Sequence, residues 1–366
     1  MSSACELRLA KVRTKMAEQK IEALFVRNLA NIAWLTNFKG VFDDEPAHAL
    51  IITADASVLH SDSRYSAALR ACAEGTPIVI DDSRVTHHKI LLESASVATL
   101  GIETSMTLQE YRSLTKALAD ASASTELREF DRFIEALREV KDDEEIETMR
   151  KAQAITDAGF EYICTFMKPG MTEREVQLEL DNFMFAHGAE GLAFPTIVAT
   201  GAHAASPHAQ PGDAIIEQGH AVVMDFGATY LGYTSDMTRT VFMGEPGPEL
   251  TRAWQVLRQA NEECEALVRE GVTGEAVHKH AEDVLAQGGF AGKMGHGLGH
   301  SLGVEVHEDP VLSPRNKQPL CAGNVLTVEP GIYLEGQFGM RLEDFGVVRR
   351  DGYEVITKST HEMVII

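Results

Sequence analysis

The spacing of hydrophobic residues predicts alternating strands and helices in the first third of the chain. Apolar side chains that recur at helical spacing from Leu7 to Met16 indicate an opening helix. Four apolar runs of strand length follow, separated by stretches with helical spacing: residues 23–26, 49–53, 76–80 and 97–103. Strands that alternate with helices in this way predict an N-terminal α/β domain.

A charged segment at residues 127–153 separates this pattern from a different one. The chain has 366 residues, more than one core usually organises, so two domains are expected. We predict a boundary inside the charged segment, with an N-terminal domain over residues 1–131 and a C-terminal domain over residues 132–366. The run KDDEE at residues 141–145 is typical of the solvated first turn of a helix.

The second domain is predicted to begin with two helices. Helical spacing extends from Glu144 to Met167, and TERE at residues 172–175 is a capping box that opens a helix reaching about His187. Strand-like runs and helical patterns then follow: strands at 221–226, 238–243 and 324–330, and helices near 247–269 and 273–287. The pattern predicts an α+β domain with largely antiparallel strands.

Composition and charge exclude two classes of partner. Hydrophobic residues make up 44% of the chain, yet no stretch approaches 18 consecutive apolar residues, so no membrane partner is expected. The net charge of −22 would repel a phosphate backbone, and no basic stripe offsets it, so no nucleic acid partner is expected. The five scattered cysteines form no CxxC pair, and the start has no signal-peptide core. Both features predict a cytoplasmic protein with reduced thiols.

Two aspartates on a predicted hairpin are the first candidates for chemistry. Asp225 lies in the hydrophobic strand AVVMDF, and a buried carboxylate must be paired, hydrogen-bonded or bound to metal. Asp236 follows eleven residues later, just before the next strand-like run. A hairpin through Gly227 to Gly232 would bring both acids to the same face of neighbouring strands.

Histidines and further acids cluster in the last quarter of the chain. His296, His300 and His307 lie within twelve residues, in the glycine-rich segment GHGLGHSLGVEVHEDP. Glu329 precedes a proline, which favours an extended strand end, and Glu343 lies in the apolar context GMRLEDF. Together with the two aspartates and one of these histidines, they form a set of four carboxylates and one imidazole.

This donor set favours two divalent ions. Oxygen-rich ligation with one nitrogen suits Mn²⁺, Mg²⁺, Fe²⁺ or Co²⁺ better than the His and Cys sites that Zn²⁺ prefers. Four carboxylates balance the charge of two divalent cations. Without metal, each pair of acids near 4 Å would cost about 4 kcal/mol at an effective dielectric constant of 20.

The order of these motifs resembles a known enzyme family. DFGATYLGYTSDMTRT, then GHGLGHSLGVEVHEDP, TVEPGIY and MRLEDF are similar to the metal-dependent proline peptidases of the creatinase/aminopeptidase P/prolidase superfamily, which have the pita-bread fold. The resemblance covers essentially the whole chain. It implies a smaller α/β domain joined to the catalytic domain through a charged helix, and a homodimer.

The resemblance also implies the metal site. It assigns five metal ligands, of which Asp236 and Glu343 would bridge both ions: Asp225, Asp236, His300, Glu329 and Glu343. The expected cofactor is a pair of divalent ions, with Mn²⁺ as the first choice and Co²⁺, Fe²⁺ or Zn²⁺ as alternatives.

Roles for the remaining candidates follow from the same resemblance. Glu329 would carry a proton from the attacking water to the leaving amine, and His307 would donate a hydrogen bond to the developing oxyanion. His208, in the segment FPTIVATGAHAASPHAQP, would contact the scissile amide or the bound carbonyl. His296, Tyr333 and Arg341 would shape the substrate pocket and orient the ligands.

Within the family, an Xaa-Pro aminopeptidase is the preferred interpretation. Such an enzyme hydrolyses peptides that carry proline at the second position and releases the residue before it. An Xaa-Pro dipeptidase must also neutralise a C-terminal carboxylate, and family dipeptidases often have an arginine directly after the HExP stretch. Here Val311 stands at that place and Arg315 follows four residues later, which weakens the dipeptidase alternative.

Two more distant alternatives remain open at this stage. A methionine aminopeptidase shares the ligands but typically lacks the first hundred or so residues. A pita-bread binding protein without activity would not need the five ligands and both histidines that this chain retains.

Overall fold

The structure is a computed structural model that describes residues 4–43, 45–94 and 97–366. Contacts divide the chain into two units, one ending at Arg138 and the other beginning at Glu139. The domain boundary between residues 131 and 132 stays a prediction.

The N-terminal unit is built on a six-stranded sheet. Its helices are α1 (Ala4–Glu18), α2 (Leu29–Thr36), α3 (Ser66–Ala73), α4 (His87–Ser94), α5 (Leu108–Asp120) and α6 (Glu135–Arg138). Its strands are β1 (Ala23–Val26), β2 (Ala49–Thr53), β3 (Ser57–His60), β4 (Val79–Asp81), β5 (Thr99–Glu103) and β6 (Glu126–Phe130). The strand order is β4-β3-β2-β1-β5-β6.

This sheet mixes parallel and antiparallel pairs. Strand β2 pairs antiparallel with β1 and β3, whereas the β1–β5, β5–β6 and β3–β4 pairs are parallel. All four residues of β1 are buried, as expected for a central strand that is covered on both faces. The predicted α/β class of this domain is confirmed.

The C-terminal unit contains four α-helices and many short strands. The helices are α7 (Asp143–Phe166), α8 (Glu173–Ala186), α9 (Pro248–Leu267) and α10 (Gly274–Gln287), with a 3₁₀ helix at Gly201–Ala205. The strands are β7 (Gly191–Leu192), β8 (Ile197–Thr200), β9 (Ala221–Phe226), β10 (Ala228–Tyr230), β11 (Tyr233–Thr234), β12 (Met237–Phe242), β13 (Gly299–Ser301), β14 (Glu308–Leu312), β15 (Val325–Val328), β16 (Gly331–Leu334), β17 (Phe338–Arg341), β18 (Asp344–Arg349), β19 (Gly352–Val355) and β20 (Val364–Ile365).

Two sheets of this unit carry the strands that matter for the site. One has the order β20-β12-β9-β8 and the other β14-β13-β15-β18-β19. Among the described strands of the unit, every pair is antiparallel except β12 with β20. The predicted α+β class with largely antiparallel strands is therefore confirmed.

Strands β9 and β12 pair as the hairpin that was predicted to bring the two aspartates together. Asp225 pairs with Thr238, and Asp236 lies two residues before Thr238, so both acids are on the same face. Gly227 permits a close approach of the two chains, because a Cβ there would lie 1.9 Å from the carbonyl oxygen of Ser235. The turn itself lies further out, between β10 and β11.

Capping boxes mark the starts of the two helices that cover β9. Asp142 with Glu145 and Thr172 with Glu175 form capping boxes at the starts of α7 and α8. Both helices pack their apolar residues against one face of β9, which presents Val222, Met224 and Phe226. Val223 packs in a separate cluster, so β9 is buried on both faces. None of the helices in the described ranges has the length and apolarity needed to cross a bilayer.

Candidate active site

A cavity of about 610 Å³ in the C-terminal unit brings most of the predicted residues together. Its volume falls within the range typical of ligand pockets, about 300–1,000 Å³. Its wall includes nine of the ten candidates: Asp225, Asp236, His300, Glu329, Glu343, His208, His296, His307 and Arg341. The tenth, Tyr333, contacts Arg341 and His296 through its hydroxyl.

Strand ends position the five predicted ligands. Asp225 is on β9 and His300 on β13, while the other three lie just outside strands: Asp236 before β12, Glu329 after β15 and Glu343 before β18. At these ends the backbone leaves the ladder, and Pro330 ends β15 directly after Glu329 because it has no N–H to continue the ladder. The hydrophobic strands therefore place the side chains of the five predicted ligands around one cavity.

Three of the ligands form a compact group around His300. Asp236, His300 and Glu343 each offer one ligand atom, and these atoms lie within 4.8 Å of one another. His300 Nε2 is 3.5 Å from Asp236 Oδ2 and 3.6 Å from Glu329 Oε1. The other ring nitrogen, Nδ1, donates to the Ser301 carbonyl at 3.0 Å, which leaves Nε2 with a lone pair for a ligand.

Asp225 has one oxygen bound and one without a partner. Arg341 Nη2 donates to Asp225 Oδ2. Asp225 Oδ1 is buried and makes no hydrogen bond within the described part of the chain. A buried carboxylate oxygen without a partner costs free energy of folding. A bound cation would satisfy this atom, so Asp225 Oδ1 is a candidate metal ligand.

Arg341 orients a second acid through Thr238. Its Nε donates to Thr238 Oγ1 at 2.8 Å, and this hydroxyl donates onward to Glu343 Oε2 at 2.6 Å. Its Nη1 donates to Tyr333 at 2.8 Å. Fixed partners of this kind hold ligand oxygens in place without touching a metal.

The electrostatics of the wall favour cations. Burial is the main cause that raises the pKa of Asp236 and Glu343 well above their ordinary values, and neighbouring carboxylates add to it. Burial also raises the pKa of Glu329. Four acids share this wall with two arginines. An oxygen-rich set with one imidazole, one unpartnered oxygen and excess negative charge fits divalent metal ions.

The three remaining histidines differ in their surroundings. His208 and His307 are both exposed. The ring centroid of His307 lies 4.5 Å from that of His300, and partial desolvation of the His307 ring lowers its pKa, with His300 and His208 adding to the effect. His296 Nδ1 donates to the Gly297 carbonyl at 2.7 Å, so Nε2 accepts from the Tyr333 hydroxyl at 3.1 Å. Burial lowers the pKa of His296 as well, which favours its neutral form.

Glu173 is a residue of this site that sequence reasoning did not single out. Its side chain is fully buried and accepts hydrogen bonds from the backbone N–H groups of Thr200 at 2.9 Å and Gly212 at 3.1 Å. It also accepts from His203 Nδ1 at 2.8 Å. The segment from 200 to 212 carries His208, so Glu173 holds both ends of that segment. The capping motif predicted the helix start but contained no signal that this acid is buried.

Two further arginines, which are not among the predicted site residues, differ in whether they line the cavity. Arg174, together with Gln177 on the same helix, lines the cavity, although the sequence did not indicate it. Arg315, the alternative clamp for a dipeptide carboxylate, is exposed and is not part of the cavity wall.

A second group of possible ligands consists of Glu265, Asp344 and His361. Asp344 accepts from Arg239 Nη2 and from His361 Nε2, both at 2.6 Å. Both carboxylate oxygens of Asp344 are therefore already engaged, one by Arg239 and the other by His361.

Comparison with known proteins defines the class. The sequence profile of metallopeptidase family M24 matches residues 147–350, and that of the creatinase/prolidase N-terminal domain matches residues 8–140. The chain belongs to metallopeptidase family M24. It is a hydrolase of the Xaa-Pro peptidase family with the pita-bread fold, as its motifs predicted, and enzymes of this family use divalent metal ions.

Individual relatives cover nearly the whole chain. The uncharacterized peptidase YqhT of Bacillus subtilis is 36% identical, over 98% of this chain and 100% of the relative. An Xaa-Pro dipeptidase from Bacillus anthracis is 32% identical, with a TM-score of 0.91 over 99% of this chain and 100% of the other. An X-Pro aminopeptidase from Thermotoga maritima is also 32% identical, with a TM-score of 0.85 over 96% and 100%. Similar structures therefore include both activities.

Proposed function

We propose that the protein is an Xaa-Pro aminopeptidase that removes the residue before proline from the N-terminus of peptides. Two divalent ions, with Mn²⁺ as the first choice, would be held by Asp225, Asp236, His300, Glu329 and Glu343. The observation that carries this proposal is the convergence of four carboxylates and one imidazole on one cavity wall.

The chemistry divides between the ions and the side chains. When bound, two divalent ions lower the pKa of a water and polarise the scissile carbonyl. Glu329 takes up the proton of the attacking water and delivers it to the leaving nitrogen. Its carboxylate lines the cavity wall with the other predicted ligands, 3.6 Å from His300, which supports this role because a proton shuttle must lie within reach of the attacking water.

The two flanking histidines act on the substrate itself. His307 is in its neutral form near pH 7, because its pKa is lowered, and its ring N–H donates to the developing oxyanion. His208 contacts the scissile amide from the segment held by Glu173. His296 and Tyr333 support the pocket through their mutual hydrogen bond.

The wall also offers a surface for the proline ring. An imide has no N–H to recognise, so selection depends on fitting the pyrrolidine ring. Phe194, Pro195 and Ile197 line the cavity with apolar atoms beside His296. We infer that these side chains contact the ring.

The positions of Arg341 and Arg315 favour the aminopeptidase over a dipeptidase that uses either of them as its carboxylate clamp. Arg341 is occupied by Asp225, Thr238 and Tyr333, and Arg315 does not line the cavity. Neither arginine is arranged to neutralise the carboxylate of a bound Xaa-Pro dipeptide. The similarity to an Xaa-Pro dipeptidase keeps that activity as the second candidate.

We further propose a cytoplasmic homodimer. The family resemblance supports the dimer, and the five free cysteines are typical of a reducing compartment. The domain boundary is proposed to lie between residues 131 and 132.

Peptide length separates the two activities. Hydrolysis of Ala-Pro, Ala-Pro-Ala and a longer Xaa-Pro peptide is measured with Mn²⁺ and again with a chelator, with Ala-Ala-Ala as the control for proline. We expect cleavage of the tripeptide and the longer peptide, and loss of activity on chelation. Cleavage confined to Ala-Pro would identify a dipeptidase, and metal-bound enzyme inactive on all three proline peptides would favour a binding protein.

A further inference from the structure

The two arginines of the cavity wall differ in how many of their donors are used. All three guanidinium nitrogens of Arg341 donate within the unit, to Asp225, Tyr333, Thr238 and the Pro207 carbonyl. Its side chain is also buried. Four of the five N–H donors of Arg341 are therefore already used, so this buried guanidinium has one N–H left for a peptide that enters the cavity.

Arg174 is exposed and keeps most of its donors. Its Nη2 donates to the Pro211 carbonyl at 2.5 Å, and its Nη1 and Nε make no hydrogen bond among residues 4–43, 45–94 and 97–366. The neighbouring acid, Glu173, is already engaged with the segment from 200 to 212. The charge of Arg174 is thus available at the cavity.

Neighbouring side chains place Arg174 at the leaving-group side. Pro211, which its guanidinium contacts, is three residues after His208 in a segment that lines the cavity continuously from Pro207 to Pro211. Gln177 lines the cavity from the same helix, one turn further along. In the proposed reaction His208 contacts the scissile amide, so Arg174 and Gln177 lie beyond it.

The charges of the wall give a bound peptide one direction. When two divalent ions are bound they balance the charge of the four carboxylates, so the guanidinium of Arg174 is the exposed charge that remains on the wall. The exposed guanidinium of Arg174 attracts the carboxylate end of the peptide, and a planar fork of N–H donors matches that group in geometry.

We propose that Arg174 binds the C-terminal carboxylate of an Xaa-Pro-Yaa tripeptide and so favours tripeptides over longer Xaa-Pro peptides. Gln177 supplies a neutral hydrogen bond to the same segment of the peptide. This inference rests on the proposed aminopeptidase function and names the part of the substrate that the wall recognises outside the metal centre. Longer peptides offer only backbone carbonyls at this position and benefit less.

The test compares Ala-Pro-Ala with its C-terminal amide in the wild-type enzyme and in Arg174→Gln, both loaded with Mn²⁺. For Arg174→Gln, we expect the Michaelis constant of the acid to rise about threefold to fivefold, as for an ion pair near a surface, with the turnover number within about twofold. The amide should have the same Michaelis constant in both proteins. Arg174→Lys should recover part of the loss, and Arg350→Gln, which changes an exposed arginine outside the cavity wall, should have no effect.

Other outcomes overturn the inference in distinguishable ways. An equal loss for the acid and the amide, or a loss in the turnover number alone, would show that Arg174 only supports the segment with His208. No change for either substrate would exclude it from binding. A loss confined to Ala-Pro would make Arg174 the clamp of a dipeptidase. Wild-type preference for Ala-Pro would refute the proposed function whatever Arg174→Gln does.

Discussion

Arg341 binds one oxygen of Asp225 and leaves the other buried, without a hydrogen-bond partner in the described part of the chain. The same guanidinium reaches Glu343 through the hydroxyl of Thr238. One cation therefore orients two of the four acids while keeping a ligand atom of Asp225 available. In the metal-free protein this guanidinium is also in direct contact with Asp225 as its ion-pair partner.

Removing the guanidinium of Arg341 should destabilise the metal-free protein more than the metal-bound protein. Arg341→Met leaves Asp225 buried and unpaired, which we expect to cost about 3 kcal/mol, or about 6–12 °C in the melting temperature. Adding Mn²⁺ should raise the melting temperature of Arg341→Met by more than it raises that of the wild type. Thermal unfolding in chelator and in Mn²⁺ measures both effects. Tyr333→Phe, which keeps the contact between Arg341 and Asp225, is the matched control, and an equal loss there would contradict this account.

Asp236 is central to the group around His300, so its removal should empty the site. We expect Asp236→Ala to lose both ions and nearly all activity, because the acid is a predicted bridge between them. Metal content by mass spectrometry checks this, with the exposed Asp351→Ala as control. Two ions and a normal rate in Asp236→Ala would mean that the metal centre lies elsewhere.

His307 should affect turnover and leave the metal in place. It lies beside His300 but outside the group whose ligand atoms converge, and it is exposed to the substrate space. Loss of one donor to an oxyanion typically reduces turnover by about 10²–10³. We expect His307→Ala to show this loss with normal metal content, and His280→Ala on α10 to show neither. An empty site in His307→Ala would refute the ligand assignment.

Glu173 should act by positioning the segment that carries His208. Glu173→Gln replaces one carboxylate oxygen by an NH₂ donor, so the backbone N–H of either Thr200 or Gly212 loses its acceptor. A displacement of the segment near 1 Å can cost about 10²-fold in rate. We expect turnover to fall about tenfold to hundredfold with metal content unchanged. Steady-state kinetics beside metal analysis measures this. The control is Glu175→Gln at the same helix start, and comparable loss there would indicate general damage to the helix.

Metal binding should strengthen as pH rises. The pKa values of Asp236 and Glu343 are raised in the folded, metal-free protein, so it binds more protons than the unfolded chain. Its stability therefore falls as pH rises from the ordinary values of 3.8 and 4.5 through the folded values. Bound metal must displace these protons.

The gap in melting temperature between Mn²⁺ and chelator should consequently widen from about pH 5.5 to about pH 8. Each displaced proton contributes up to about 1.4 kcal/mol per pH unit. A gap that is constant or narrows with pH would show that the acids are not protonated in the metal-free state.

Local signals predicted the elements that position the site. Capping boxes marked the starts of α7 and α8, and the hydrophobic run before Asp225 marked β9. Strand β6 was not predicted, because its sequence ELREF is charged and lies in a segment that also precedes a helix. Strand β3 was not predicted, because only the two central residues of its sequence SVLH are apolar.

Contacts between distant residues explain what the sequence did not predict at the site. The acids were found because each stands in an unusual apolar context. Glu173 and Arg174 stand in an ordinary capping motif, and only folding shows that one is buried against Thr200 and Gly212 while the other lines the cavity. No pattern within a single segment contains that information.

Anomalous diffraction from crystals grown with Mn²⁺ would test directly whether the cavity holds two metal ions. We expect two manganese peaks there, each about 2.2 Å from its ligands, with Asp236 and Glu343 contacting both. The ligands should be Asp225, Asp236, His300, Glu329 and Glu343. A single peak, or peaks at Glu265, Asp344 and His361 with none in the cavity, would contradict this expectation.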